Sequence, residues 1–170
     1  SFDPTQTMPV SEEVRRIDTL PLGVGSRSRI KRQCETGVTL VDLVFPIGKG
    51  QRELIIGDQK TGKSYLLWRM MLSQVKAGTV GIYALVGKSK AVIKRLEQSF
   101  REAGVFDGMI FVATSSDDSS GLTYLAPYSA MAMAEYFRDK GRDVLVVFDD
   151  LSAHAKAYRE ISLLAKKFPG

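Results

Sequence analysis

The stretch that decides the fold is "GDQKTGKS", which runs from Gly57 to Ser64. It lies between the apolar run "ELII" and the half-apolar stretch "YLLWRMML", a context that predicts a strand before it and a helix after it. Its two glycines are separated by four residues and followed at once by Lys63 and a serine, which is the spacing of a Walker A motif. We therefore predict a phosphate-binding loop here.

The chemistry of this loop suits a triphosphate. Glycines let successive backbone N–H groups turn toward an anion, and the following helix adds its unpaired N–H groups and the positive end of its dipole. Lys63 is placed to reach the outer phosphates, and the Ser64 hydroxyl is placed to bind Mg²⁺. A glycine-containing turn without a ligand is the plain alternative. The predicted nucleotide-binding residues are Gly57, Asp58, Gln59, Lys60, Thr61, Gly62, Lys63 and Ser64.

Strand and helix patterns alternate along the rest of the chain. Such alternation predicts right-handed crossovers and an α/β fold, with a mainly parallel sheet and helices on both faces. A short helix or turn is predicted after Thr36. Strands are predicted for "RELIIG" (52–57), "TVGIYALV" (79–86), "GMIFVATS" (108–115) and "DVLVVFDD" (143–150), and helices for 62–76, 89–104, from near Pro127 to 141, and 152–167.

The chain divides into an arm and a domain. Residues 1–35 contain three of the six prolines and no sustained apolar period, so we expect an irregular arm or linker that lies on the domain or leads into it. Residues 36–170 form the predicted nucleotide-binding domain. Because the chain ends directly after a helix, where such a sheet usually continues, we expect this domain to be partial.

Composition narrows the classes of function. The 170 residues suit one globular domain, and no apolar run is long enough for a membrane span. The net charge is +5, but the basic cluster Arg27 to Arg32 contains no aromatic residue, so we expect a solvated linker and no direct nucleic-acid binding. Cys34 and His154 stand alone, without metal-ligand spacing, and an exposed helix position is expected for His154.

An acidic partner for the loop follows the last predicted strand. Ligands bind at the carboxyl ends of parallel strands, and "DVLVVFDD" ends in two aspartates. We predict that Asp149 is the Walker B acid, which acts on Mg²⁺ directly or through a coordinated water, with an ordinary capping carboxylate as the alternative. Asp150 is expected near the metal shell or next to a helix N-cap, with Ser152 as the competing cap.

Hydrolysis requires a group that orients or deprotonates the attacking water. In many such domains this group is a glutamate at the end of the strand next to the loop strand. We take that strand to be "TVGIYALVGKSK", where Lys88 stands directly after Gly87. An ammonium group cannot accept the proton of water, although it could pair with a phosphate. This residue favours nucleotide binding without efficient cleavage.

Three phrases resemble the α subunit of F-type ATP synthase over about residues 34 to 170. They are "PIGKGQRELIIGDQKTGKS", "YLAPYSAMAMAEYFRDKG" and "VLVVFDDLSAHAKAYREISLL". The resemblance implies a RecA-like nucleotide-binding domain that alternates with β subunits in a hexameric ring. It also implies Mg-ATP at non-catalytic sites, since the catalytic sites of that family belong mainly to β.

Carried over by position, the resemblance gives Lys63 and Ser64 the phosphate and metal roles and makes Asp149 the Walker B acid. It implies ATP or ADP with Mg²⁺ as ligands and β-type subunits as partners. It implies a peripheral location at the cytoplasmic or matrix/stromal face of an energy-transducing membrane, reached only through the complex. Two departures from the family pattern stand out: Gln59-Lys60 replaces the usual Arg-Gln, and Lys88 replaces the usual Gln.

Two other functions remain open at this point. One is an autonomous hexameric ATPase of the secretion, flagellar export or Rho type, whose "PIGKGQR" phrase is similar. The other is a nucleotide-free structural pseudo-subunit, in which the loop survives only as an element of the fold. Hydrolysis of ATP by the chain would favour the autonomous ATPase, and the absence of nucleotide binding would favour the pseudo-subunit.

Overall fold

The computed structural model describes residues 13–19, 23, 25 and 28–167. The start of the predicted arm and Arg27 of the basic cluster lie outside these residues. The predicted α/β fold is confirmed. In chain order the elements are β1 (Gln33–Cys34), α1 (Thr39–Val44), β2 (Ile47–Gly48), α2 (Lys63–Lys76), β3 (Val80–Lys88), α3 (Lys90–Glu102), β4 (Met109–Ser115), α4 (Ser120–Asp139), β5 (Val144–Asp149) and α5 (Leu151–Leu164).

The main sheet is parallel and has the strand order β4-β3-β5. The central strand, β3, is buried because helices cover both of its faces. Successive side chains of a strand point to opposite faces. Tyr83 and Leu85 therefore pack toward α2 and α3, whereas Ile82, Ala84 and Val86 pack toward α4 and α5.

The larger of the two cores is built around aromatic rings. Phe100 of α3 is fully buried, and its ring centroid lies 5.7 Å from that of Tyr83, 6.0 Å from that of Phe111 and 6.3 Å from that of Trp68. Rings at these separations add to the free energy gained from burial alone. This cluster joins α2 and α3 to the sheet, so it fixes the helix that carries the loop.

The strand predicted for residues 52–57 is absent. This segment has no regular structure and pairs with no strand in the described part of the chain, and Leu54 and Ile56 are 70% and 83% exposed. An apolar run becomes a strand only where a neighbour completes its hydrogen bonds, and here β3 is flanked by β4 and β5. The expectation that the strand carrying Lys88 neighbours a loop strand is therefore also wrong.

Helix α4 begins seven residues before the predicted start near Pro127. Ser119 caps it by accepting a hydrogen bond from the Leu122 N–H at 3.4 Å, so Pro127 lies inside the helix. A proline there leaves one helical carbonyl without its N–H partner. Pro127 is nevertheless buried together with Ala130 and Ala134, so packing against the sheet outweighs that lost bond.

A short antiparallel pair, β1 with β2, was not predicted. Two-residue strands carry no periodic signal, and here the pairing is Gln33 with Gly48 and Cys34 with Ile47. The pair is held to the main sheet by Asp143, which lies just before β5. Its carboxylate receives Lys49 Nζ at 2.7 Å and an Arg32 guanidinium nitrogen at 3.2 Å.

The arm contacts the domain where it is described. Arg15 bonds the Asp139 carboxylate at 2.8 Å, and its guanidinium carbon lies 5.4 Å from the centre of the Tyr136 ring. Both partners belong to the last turns of α4. These contacts hold Arg15 beside the end of that helix.

Asp143→Asn is expected to lower the melting temperature slightly at neutral pH. The Lys49 hydrogen bond, together with the charges of Lys49 and Arg32, lowers the pKa of Asp143 below its usual 3.8. The side chain is half-exposed, so these pairs contribute less than about 1 kcal/mol, which is about 2–4 °C. A lowered folded-state pKa gives stability that is present above the unfolded value and is lost as the pH falls through the folded one.

The difference between the two proteins should therefore be seen at pH 6 and should shrink toward pH 3, as followed by circular dichroism during heating. A difference of the same size at both pH values would contradict this assignment.

Gly81→Ala is expected to destabilise the fold by about 1–3 kcal/mol through overpacking. A Cβ at this β3 position would lie 2.5 Å from Met71 Sδ and 2.7 Å from Val75 Cγ2, both on α2. Gly121→Ala is the matched control, because only Ser119 Oγ lies near its Cβ position, at 3.9 Å, and alanine favours a helix. Urea unfolding measures both, and equal midpoints would contradict the close approach of α2 to β3.

Candidate functional site

The predicted phosphate loop leads directly into α2. Gly62 is the N-cap of that helix, and its φ of +90° lies in the left-handed region that glycine adopts without steric cost. No side chain caps α2. The first N–H groups of the helix are therefore available to an anion, and the positive end of the helix dipole points the same way.

The eight loop residues form one compact turn closed by Lys63. The Lys63 ammonium donates to the Gly57 carbonyl at 2.6 Å and to the Asp58 carbonyl. Thr61 Oγ1 also donates to the Asp58 carbonyl, at 2.8 Å. The cation is thus held at the loop, and the Ser64 hydroxyl at the start of α2 is exposed to solvent. A bound phosphate would offer Lys63 stronger acceptors than these carbonyls.

The two aspartates lie at the carboxyl end of β5, as predicted. Asp149 is opposite Leu85 of β3 in the parallel register and is only 6% exposed. Asp150 caps α5, since its carboxylate accepts the Ala153 N–H at 3.1 Å. The competing cap, Ser152, lies within the helix instead.

Lys88 lies between these two carboxylates. Its Nζ is 2.8 Å from Asp149 Oδ1 and 2.9 Å from Asp150 Oδ2. Gly87 makes this placement possible: its φ is +64°, and a Cβ there would lie 2.8 Å from the Ala153 Cβ. The end of β3 can therefore approach α5 only because residue 87 has no side chain.

The pKa shifts of Lys88 and Asp150 are those expected when the lysine is protonated and the carboxylate is ionised. Burial lowers the pKa of Lys88, but the hydrogen bonds and charges of Asp149 and Asp150 outweigh burial and raise it above its ordinary value. Burial raises the pKa of Asp150, but the Lys88 hydrogen bond and the Ala153 N–H outweigh it and hold the pKa low. Burial, followed by the Asp149 charge, raises the pKa of Tyr83.

Asp149 as folded does not fit direct coordination of Mg²⁺. One carboxylate oxygen faces the Lys88 ammonium, and the other accepts the Tyr83 hydroxyl at 3.4 Å. Among the described residues, no group of three or more His, Cys, Asp or Glu could hold a metal ion. A metal would reach Asp149 only by displacing Lys88. The metal roles of Ser64 and Asp149 thus stay predictions.

The side chains of Lys88 and His154 have surroundings in the structure that the sequence did not indicate. Lys88, considered from sequence as a phosphate partner, pairs with carboxylates instead. His154, expected on an exposed helix position, is half-buried, and its ring stacks on Tyr124 with centroids 5.5 Å apart. The sequence does show a lysine at the end of one predicted strand and two aspartates at the end of another. Predicting that these residues contact each other would also have required the order of the strands in the sheet.

Residues 37–170 match the family described as ATP synthase alpha/beta family, nucleotide-binding domain. The chain belongs to this family. It is 42% identical over 160 residues to "ATP synthase subunit alpha" of Clostridium acetobutylicum, which covers 94% of the chain and 32% of that protein. It is also 42% identical over 160 residues to "ATP synthase subunit alpha 1" of Photobacterium profundum, covering 94% of the chain and 31% of that protein.

A third family member, "ATP synthase subunit alpha 1" of Chlorobium luteolum, is 43% identical over 148 residues, which cover 87% of the chain and 29% of that protein. The chain therefore spans about a third of the length of these curated relatives. The predicted resemblance to an α-type nucleotide-binding domain is confirmed. In the described part of the chain, no helix combines the length and the apolar character that crossing a bilayer requires.

Proposed function

We propose that this chain holds ATP or ADP as the nucleotide-binding domain of an α-type subunit of F-type ATP synthase and does not itself cleave the nucleotide. The observation that carries the proposal is the loop from Gly57 to Ser64. It joins a left-handed glycine, an uncapped helix N-terminus and a lysine ammonium in one turn. Each of these three features favours a phosphate group.

Each part of the loop has a proposed task. Backbone N–H groups at the start of α2 bind phosphate oxygens, and Lys63 exchanges its carbonyl acceptors for the outer phosphates. Mg²⁺, where present, supplies positive charge that offsets the charge of the phosphates. Ser64 is proposed to hold it directly, and Asp149 is proposed as a second ligand only if Lys88 is displaced. Ser64 is exposed, whereas Asp149 becomes available only when Lys88 leaves it.

The absence of cleavage is proposed from the end of β3. A water-activating group must accept a proton, and the position after Gly87 that the sequence indicates for such a group holds Lys88, whose ammonium has none of the required lone pairs. Its two contacts also engage the carboxylates of Asp149 and Asp150 at the end of β5. Binding and cleavage are thereby separated in this chain.

Assembly with β-type subunits in a heterohexamer is part of the same proposal. Relatives named as ATP synthase subunit alpha support it. Exposed apolar side chains support it as well, because Leu43, Leu54 and Ile56 are 77%, 70% and 83% exposed. Where exposed apolar side chains form a continuous patch, further protein normally covers it. The location at the face of an energy-transducing membrane follows from that assembly.

Calorimetric titration with ATP and Mg²⁺ tests the proposal. We expect saturable binding of one nucleotide per chain, accompanied by a change in the fluorescence of Trp68, the single tryptophan, one turn after Ser64 on α2. Phosphate release should stay at the level of buffer. Absence of heat and saturation would indicate a nucleotide-free pseudo-subunit, and brisk phosphate release would indicate an autonomous ATPase.

A further inference from the structure

The two negative charges at the carboxyl end of β5 are partly offset by one positive charge from within the chain. Asp149 and Asp150 contribute two negative charges, and the Lys88 ammonium lies within 2.9 Å of an oxygen of each. A divalent cation at this edge would approach the same oxygens. Lys88 therefore engages the carboxylate oxygens that such a cation would need.

This contact is more constrained than a surface ion pair. The Lys88 side chain is 22% exposed and that of Asp149 is 8% exposed, whereas the pair of Lys90 with Asp117 is separated by 3.3 Å with both side chains about 70% exposed. Partial burial strengthens the attraction and makes separation costly, because it leaves an unpaired charge away from water. The second oxygen of Asp149 is already bonded to Tyr83.

The phosphate loop carries positive charge of its own that would face a metal-free nucleotide. Lys60 and Lys63 both lie in the loop, and the Lys63 ammonium is already held there by two carbonyls. The uncapped start of α2 adds its N–H groups. The negative charge of a metal-free triphosphate therefore meets lysines and backbone donors without any contribution from Asp149.

We propose that Lys88 replaces the divalent cation on Asp149, so that this chain binds ATP with little dependence on Mg²⁺. The inference rests on the proposed function, because it concerns nucleotide bound at the same loop. It assigns Lys88 the role of a positioning residue that acts through the aspartate and does not touch the nucleotide. Displacing it should return to the site a requirement for metal.

The test compares the dissociation constant of ATP measured in EDTA with that measured in excess Mg²⁺. We define the ratio as the dissociation constant in EDTA divided by that in Mg²⁺. For the wild-type chain we expect a ratio below about fivefold. For Lys88→Gln we expect a ratio above about fivefold, because the freed Asp149 then attracts the metal. Lys90→Gln is the matched control, since it removes an exposed lysine two residues away and should behave as the wild type does.

Each outcome decides a different point. A wild-type ratio above about fivefold, or a Lys88→Gln ratio equal to that of the wild type, overturns this inference and leaves the proposed function intact. No ATP binding by the wild type in either condition overturns the proposed function and this inference with it. If Lys88→Gln does not fold by circular dichroism, the wild-type ratio decides alone.

Discussion

Lys63→Ala is expected to lower the affinity of the chain for ATP by roughly ten- to hundredfold, because it removes a cation that the loop holds next to the proposed phosphate position. Charge-assisted hydrogen bonds contribute about 1.5–3 kcal/mol each, which corresponds to that change in affinity. The measurement is calorimetric titration of the wild-type and variant chains with ATP, under identical salt and Mg²⁺ concentrations.

The matched control is Lys76→Ala, at the opposite end of the same helix. Lys76 is exposed in the last turn of α2, a full helix length from the loop, so its removal should change ATP affinity by less than about twofold. Unfolding midpoints of both variants should stay close to that of the wild type, since Lys63 contacts only loop carbonyls. Equal affinities of the two variants would show that Lys63 does not contact the phosphates.

Phe100→Ala is expected to cost about 3–5 kcal/mol of unfolding free energy, the largest stability effect among these predictions. The ring is fully buried, and its loss leaves a cavity bordered by Trp68, Tyr83 and Phe111. Two of these neighbours lie on strands and one on α2, so the cavity cannot collapse without moving the sheet against the helix. Urea unfolding followed by circular dichroism measures the loss.

Phe45→Ala serves as the control for Phe100→Ala, because the same side chain is removed where it is 70% exposed. Its cost should remain within about 0.5 kcal/mol. The folded fraction of Phe100→Ala should still bind ATP, which separates packing from the loop chemistry tested with Lys63. Equal costs for the two phenylalanines would contradict the arrangement of the aromatic core.

The parts of the fold that the sequence predicted well are those decided locally. The apolar run that becomes β3 is long, and helix patterns precede and follow it in the sequence. Together these features predict a strand that is covered on both faces. The phosphate loop is defined by spacing within eight residues. The start of α4 is also determined locally, by the Ser119 cap. The prediction placed it near Pro127 instead, because proline is common in the first turn of a helix.

The parts that could not be predicted depend on neighbours distant in the chain. Residues 52–57 have the composition of a strand, yet whether they pair depends on which strands flank β3. The contact of Lys88 with Asp150 joins positions 62 residues apart and follows from the parallel register of β3 with β5. The sequence indicates each of the charged residues in that cluster, but not that Lys88 pairs with both aspartates.

If this chain holds a nucleotide without cutting it, the chemical identity of the bound nucleotide tests that separation most directly. The chain is incubated with Mg²⁺ and ATP labelled on the α-phosphate, free nucleotide is removed, and the retained label is identified by chromatography. We predict that the retained nucleotide is intact ATP, at one per chain. Retained ADP accompanied by released phosphate, or no retained nucleotide at all, would contradict the account.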